Sequence, residues 1–427
     1  MSQGTTLLIS RLTTQNAGNE ALSKQFLKYF VSNAGRGKVV ALDRYPRYFE
    51  SFSLKGLGAD PIQSFDNLAR ELIRRFSDKS AEALPEAREG LVKLDETAKE
   101  LTGFLRNVKR KVALRKTLAS LLLIEKPQLL QAVTGCTSSD LIVWNPAGEI
   151  HPTGSPDQVM RLLLLLRIGQ LSGRRTAVIN HSLEIADERL RTLIAHVYSQ
   201  LDYVGVRDAK SVEVALSLGV SKERLHESPD LVFLASREEK AREAKSQKGS
   251  IALAINGLEA LSGSNEWVQF MKGLEEFKRP VVFVSNAVNH DREFSTYLAG
   301  LSSNGTVVEH QPGYIELRSF YKDCAVLVSS RLHASILALC EDTPVLSIEP
   351  SVFKLTAIFE QMDYPIKTVR LQEAAWSEKV LENIRAVINK EGPDLISEGS
   401  RALAHQVDLI DRSFRPLFSM MPGAKAA

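Results

Sequence analysis

Residues 325–350 read AVLVSSRLHASILALCEDTPVLSIEP. An apolar run, Ala325 to Val328, leads into a polar turn. An apolar helical stretch follows from Ile336 to Cys340, and a second apolar run spans Pro344 to Ile348. Continuous rather than alternating apolar runs predict strands buried on both faces, as in a parallel sheet covered by helices. The same rhythm extends outward from this unit. In the second half it recurs at Ile251–Ile255, Val281–Val284 and Val307–Val308. In the first half it recurs at Leu7–Ser10, Val39–Leu42, Leu141–Trp144, Thr176–Ile179 and Tyr203–Val206. Strand–helix alternation in two blocks predicts an α/β protein of two doubly wound Rossmann-like domains.

The length of 427 residues, with 44% apolar and 25% charged residues, fits two ordinary globular domains. The N-terminal domain is predicted over 1–235, with a helical insertion at 61–135 that lacks a clear strand. The polar stretch SREEKAREAKSQKGS at 236–250 is the predicted linker, and the C-terminal domain covers 251–427. Two such domains facing a cleft form the GT-B-like layout. Ligands in open α/β sheets bind beyond the carboxyl ends of the strands, so the loops there are the places to look for chemistry.

Composition excludes several function classes. A net charge of +3 is too small for a dedicated nucleic-acid binder. The three cysteines show neither CxxC spacing nor histidines at zinc-ligand distance, so no metal site and no disulfide framework are expected. The N-terminus lacks the apolar run of a secretory signal, and no stretch approaches the ~20 residues that cross a bilayer. A cytoplasmic location is the expectation. One stretch suggests peripheral contact with the inner face of the membrane. Residues 101–118, LTGFLRNVKRKVALRKTL, carry six basic residues and no acidic one. Leu101, Leu105, Val108 and Val112 share one helical face. Such a helix either lies on an anionic membrane or packs on its own domain with a solvated basic face.

Four loops carry candidate residues. After the first strand comes Asn16-Ala17-Gly18-Asn19-Glu20, a tight turn opening a helix. Exposed N–H groups there favour anions and hydroxyl-rich ligands, and Asn16 or Asn19 equally suits a helix cap. After the fifth strand comes Val206-Arg207-Asp208-Ala209-Lys210-Ser211. Arg207 is placed at a strand's carboxyl end, as an anion binder or an ion-pair partner, and Asp208 suits a cap. In Ser329-Ser330-Arg331-Leu332-His333, extended geometry puts Arg331 and His333 on one face. The arginine offers a planar fork for carboxylate or phosphate, and the histidine a proton donor near neutral pH. After the next strand, Glu349 and Lys354 occupy another carboxyl end, in the site or in a solvated loop. No Asp-x-Asp pair, GxGxxG or GxxxxGK[ST] occurs, which disfavours metal-dependent GT-A transfer and dinucleotide or P-loop binding.

Taken together, these segments resemble the polysaccharide pyruvyl transferases. The likeness rests on Asn16-Ala17-Gly18-Asn19-Glu20-Ala21-Leu22 and on Arg207-Asp208-Ala209-Lys210-Ser211 with Leu218-Gly219-Val220 and Ser228-Pro229-Asp230 downstream. It continues in Ser329-Ser330-Arg331-Leu332-His333, Thr343-Pro344-Val345 and Lys354. The chain departs from the family where a Gly-Gly-Gly-like turn follows the third strand. Here that turn is Asn145-Pro146-Ala147-Gly148-Glu149.

The resemblance implies transfer of a pyruvyl group from phosphoenolpyruvate to a sugar of a polysaccharide or its precursor, forming a ketal. It implies no cofactor and a sugar acceptor, with a lipid-linked one as one form. The C-terminal domain becomes the expected donor side, with Arg331, Ser330, Lys354 and Glu349 binding the donor together with Arg207 of the N-terminal domain. His333 and Arg331 are the expected catalytic pair. The N-terminal domain becomes the acceptor side, with Asn16, Gly18, Asn19, Glu20, Asn145 and Glu149. Two rivals stand beside this reading: a GT-B nucleotide-sugar glycosyltransferase, and a non-catalytic sugar-binding relative.

Overall fold

The structure is a computed structural model and describes residues 4–10, 16–43, 60–62, 87–110, 127–152, 156–241, 249–257, 265–350 and 354–423. The chain divides into two compact units. The first comprises Met1–Thr13, Phe26–Asp230 and Asp411–Ala427, and the second Thr14–Gln25 and Leu231–Ile410.

In chain order, the elements up to the first boundary are β1 (Thr5–Ser10), α1 (Ala17–Asn33), β2 (Lys38–Asp43), β3 (Asp60–Ile62), α2 (Ala87–Arg110), α3 (Pro127–Ser138) and β4 (Leu141–Asn145). They continue with α4 (Pro156–Leu171), β5 (Arg175–His181), α5 (Glu188–Tyr198), β6 (Tyr203–Val206), α6 (Ala209–Ser217) and β7 (Leu225–Glu227). The strands pair in parallel in the order β3-β2-β1-β4-β5-β6-β7. Leu7, Ile9, Ile142, Trp144, Val178 and Val204 of the strands pack with Leu163 to Leu166 of α4 in one core.

The remaining elements are β8 (Ile251–Ala254), α7 (Asn265–Leu274), β9 (Val281–Phe283), α8 (Val288–Ala299), β10 (Gly305–Val307), α9 (Tyr314–Lys322) and β11 (Val326–Ser329). After these come α10 (Leu332–Leu339), β12 (Val345–Glu349), α11 (Lys354–Gln361), β13 (Val369–Arg370), α12 (Trp376–Ala386) and α13 (Gly392–Ser419). The second sheet is also parallel, in the order β10-β9-β8-β11-β12-β13. Its strand residues Ile251, Leu253, Phe283, Val328 and Ile348 share a core with Trp267, Phe270 and Trp376. Each sheet reverses its strand order once among the described residues, between β1 and β4 and between β8 and β11. Such a reversal opens a crevice at the strands' carboxyl ends.

All ten predicted strands are present. The predicted boundary is not. The chain passes from one unit to the other after Asp230, because Leu231 to Ala235 are buried within the second unit's grouping. Two helices also change unit along their length. The first turns of α1, up to Gln25, group with the second unit, while its later residues belong to the first. The end of α13 does the same from Asp411 onward. In the first unit, Tyr29 and Phe30 of α1 meet Phe414 and Phe418 of α13 edge to face, and the Tyr29 hydroxyl donates to Asp411 at 2.8 Å. Of the predicted helical insertion, Ala87–Arg110 and the start of Pro127–Ser138 are helical, while β3 begins at Asp60. Residues 63–86 and 111–126 lie outside the described residues, and with them the second half of the basic stretch 101–118.

His181 ends β5 in full burial. Its Nδ1 faces the Gly205 carbonyl at 3.1 Å, and the Tyr198 hydroxyl lies 3.2 Å from Nε2. Nδ1 must therefore carry the proton, and the ring is neutral. Burial, helped by the nearby Arg207 cation, lowers its pKa to about 3. The unfolded chain protonates this histidine near pH 6.5, whereas the folded chain does not, so stability falls as pH drops from about 6.5 toward 3. Urea unfolding across that range should show the loss, at most about 1.4 kcal/mol per pH unit from this group. His181→Gln should flatten that part of the slope, and an unchanged slope would remove His181 as its source.

Candidate active site

The crevice of the second sheet lies where β8 and β11 pair in register, Ser329 opposite Ala254. Just beyond β11 the chain turns at once into α10, with Arg331 as its N-cap residue at φ −111° and ψ 112°. Ser329 makes this turn: its Oγ accepts the Arg331 N–H at 2.9 Å. The predicted extended Arg-Leu-His segment is therefore corrected. Arg331 precedes the helix and His333 stands in its first turn, because Ile336 to Cys340 are buried and draw the helix start close to the strand. Ser330 is buried and its Oγ accepts the N–H of Asn256 at 2.6 Å, tying the ends of β8 and β11 together.

The turn after β9 supplies the next wall. Asp291, in α8, accepts the backbone N–H groups of Asn286 (3.1 Å) and Ala287 (3.0 Å) through Oδ2. Its Oδ1 accepts from Nη2 of Arg331. Arg331 Nε has no hydrogen-bond partner among the described residues, and neither do Ser285 Oγ and Asn286 Oδ1. Buried polar groups are usually paired, and other exceptions lie in the core, such as Trp267 Nε1 and Tyr321 Oη, so these three mark the crevice only together with the Arg331 and His333 side chains beside them.

The start of α1 completes the site. Asn286 accepts the Ala17 N–H at 3.0 Å and donates through Nδ2 to Asn16 Oδ1 at 3.2 Å. Asn16 Oδ1 also accepts the Asn19 N–H at 3.0 Å, the capping role anticipated for it. Glu20 accepts the Tyr314 N–H at 3.1 Å, at the first residue of α9, and pairs with Lys24. Gly18 is buried against His333. A methyl group at Gly18 would lie 2.5 Å from the His333 Cβ and 2.6 Å from its Nδ1. Only glycine allows the helix and the imidazole to approach this closely. Thus the Asn16–Glu20 and Arg331–His333 segments, 300 residues apart in sequence, form one site within the second unit.

Other predicted residues do different work. Glu349 is buried at the end of β12 and accepts the N–H groups of Leu355 and Thr356 with the Thr356 hydroxyl. It caps α11 rather than facing solvent, and burial, outweighing these bonds, raises its pKa. Lys354 is the first residue of that helix and half-buried. In the first unit, Asn145 ends β4 in full burial. Its Oδ1 accepts the Ala147 N–H at 3.2 Å, and its Nδ2 has no partner among the described residues. Ala147 has φ +52°, the left-handed conformation that glycine favours, so the turn keeps a glycine-like backbone without the glycine. Glu149 is half-buried in the same turn.

Arg207 is corrected most. It does not stand open at the end of β6. It is 2% exposed, and its Nη1 donates to Asp230 at 2.5 Å, a carboxylate with no exposure at all. Asp208 caps α6, accepting Ser211 N–H (2.8 Å), Ser211 Oγ (2.9 Å) and Ser182 Oγ (2.7 Å). The helix ends in Leu218-Gly219-Val220, where the Gly219 N–H donates to Leu216 and the Val220 N–H to Ala215, with Gly219 at φ +84°. This is a Schellman stop. The whole segment builds and fastens one helix.

The family model for polysaccharide pyruvyl transferase matches residues 16–351, which include both the Asn16–Glu20 turn and the Arg331–His333 pair. The chain belongs to the polysaccharide pyruvyl transferase family. No curated protein matches it. Among solved structures, a UDP-GlcNAc 2-epimerase from Neisseria meningitidis bound to UDP-GlcNAc is similar at 12% identity and TM-score 0.54. The match covers 96% of this chain and 100% of that one. A glycosyltransferase from Rickettsia africae matches at 9% identity and TM-score 0.54, covering 98% and 96%. The S. aureus MnaA–UDP structure matches at 11% identity and TM-score 0.55, covering 100% and 99%. These likenesses establish the GT-B-like fold class and say nothing of substrate.

Sequence reading missed Asp291, Asn286 and the role of Asp230. Asp230 was visible only as the family's Pro-Asp pair, and Asp291 looks like any acid near a helix start. Two substitutions test the assignments. Gly18→Ala would stabilise an isolated helix, yet here it should cost about 1–3 kcal/mol through overpacking on His333. Urea unfolding at or above wild-type stability would contradict that. Arg207→Ala should cost about 3–5 kcal/mol, because the fully buried Asp230 loses its guanidinium partner. Arg207→Ala combined with Asp230→Ala should recover part of the loss, and strict additivity would count against the pair.

Proposed function

We propose that this pyruvyl transferase family member transfers the pyruvyl group of phosphoenolpyruvate to a sugar of a polysaccharide or its precursor. The observation that carries the reading is the meeting of Gly18, His333 and Arg331 at the β8/β11 crevice, with Arg331 Nε unsatisfied. Phosphoenolpyruvate presents a carboxylate and a phosphate, and the crevice offers a guanidinium beside the N-terminus of α10. An arginine fork and a helix N-terminus both suit such anions.

The chemistry follows from the substrate. Carbon 3 of the enol takes a proton as a sugar hydroxyl oxygen bonds to carbon 2, giving a tetrahedral centre that still carries phosphate. A second hydroxyl of the same sugar then bonds to carbon 2, and the carbon–oxygen bond to phosphate breaks. The two hydroxyl protons leave, and the products are a cyclic ketal and inorganic phosphate. His333 is the proton donor to carbon 3, and Arg331 holds the anionic groups. A positioned acid of this kind supplies ~10²–10⁴-fold in rate. In this reading the Asn16–Glu20 turn belongs to the donor site, since it shares the second unit with His333. The acceptor side passes to the β4 turn, with Asn145 and Glu149.

Calorimetry should show binding of phosphoenolpyruvate and not of UDP or GDP sugars; the reverse result would favour a nucleotide-sugar glycosyltransferase. Phosphate release should be followed with a panel of pyranosides carrying paired free hydroxyls. With an active acceptor in hand, His333→Gln should lower kcat by about 10²-fold or more while donor affinity stays within a few-fold. A kcat within twofold of wild type would remove His333 from proton transfer.

A further inference from the structure

Asp291 is a buried carboxylate, 1% exposed, that no feature of the sequence singled out. It stands where three parts of the site meet. Oδ2 takes the N–H groups of Asn286 and Ala287, so it stabilises the entry to α8 much as a capping-box acid does. Oδ1 takes one Nη of Arg331. Asn286, held in this way, receives Ala17 and Asn16 at the start of α1. The carboxylate thus fixes the guanidinium and the turn on which the Gly18 segment docks.

We propose that Asp291 is the positioning residue that sets the plane of the Arg331 fork for the anionic donor, an inference that rests on the function proposed above. A guanidinium is rigid and planar, so anchoring one Nη to a buried acceptor fixes where the remaining donors point. With that Nη anchored, the Arg331 side chain still keeps 16% exposure, and this is the part left for the ligand. An arginine ordered on folding does not lose its rotamer freedom again on binding. Asp291 itself touches no ligand; it acts through Arg331.

A role limited to capping α8 makes a different prediction, and one substitution separates the two. In Asp291→Asn the amide oxygen can still accept both backbone N–H groups, which turns the amide NH₂ toward Arg331, donor against donor. The cap survives and the anchor is lost. The melting temperature should stay close to wild type while calorimetric affinity for phosphoenolpyruvate falls roughly tenfold or more. In an Arg331→Ala background, where affinity is already reduced, Asp291→Asn should add less than twofold. Equal losses in both backgrounds, or an affinity within twofold of wild type for Asp291→Asn alone, overturn the inference while leaving the donor site intact. If Arg331→Ala itself leaves affinity unchanged, the donor reading fails, and the inference with it. Should Asp291→Asn fail to fold, Asp291→Glu replaces it in the same cycle. It keeps the charge but moves the carboxylate by one methylene, and it should again lose affinity only when Arg331 is present.

Discussion

A buried carboxylate is costly without hydrogen-bond partners, and Asp291, 1% exposed, has two backbone N–H groups and one guanidinium. The donors come from different places: the turn after β9 and the residue that precedes α10. Meeting the electrostatic requirement of one side chain therefore fixes two strand ends relative to each other. The start of α1 follows, because Asn286 can hold Asn16 and Ala17 only while its own N–H is held by Asp291. The close contact of Gly18 with His333 is the last link, made possible by the missing Cβ.

The first unit solves the same problem differently. Arg207 and Asp230 are both buried and face each other, and the neighbouring Asp208 is consumed by Ser182 and Ser211. Arg207 Nη2 also reaches Ser182 Oγ at 3.4 Å, so the guanidinium is held among buried partners. Arg331 differs in its exposure: its side chain is 16% exposed, against 2% for Arg207, while the second oxygen of its partner Asp291 serves the backbone. Two arginines that look alike in sequence, each just beyond a strand, thus differ in what they have left to give. The fully buried arginine contributes structure, whereas the other keeps part of its side chain open at the crevice.

This difference marks the limit of what the sequence discloses. The strands were legible because both sheets are parallel and covered on both faces, so each buried strand is a run of Val, Ile and Leu. Strands β3, β7 and β13 were missed because Asp-Pro-Ile, Leu-His-Glu and Val-Arg are too short to form an apolar run and each carries a charged or polar residue, as their places at the sheet edges permit. The Arg331–His333 pair was legible from its place after a strand, although not its geometry, which depends on where α10 begins. The exchange of α1 and α13 between units was not legible. It rests on contacts across long sequence separations, such as Tyr29 with Asp411 and Glu20 with Tyr314, that no local pattern records.

The same reasoning explains why fold and chemistry part company here. Solved structures of 9–12% identity keep the two-sheet architecture over nearly the whole chain. Cores tolerate exchange among apolar residues of similar volume, so the architecture survives wide sequence change. The site does not have that freedom. Glycine at 18 is required by a steric contact, and an acid at 291 by two N–H groups and a guanidinium. The β4 turn shows the intermediate case. Ala147 adopts the left-handed conformation at a cost of ~1–2 kcal/mol, a backbone path that glycine would follow more easily.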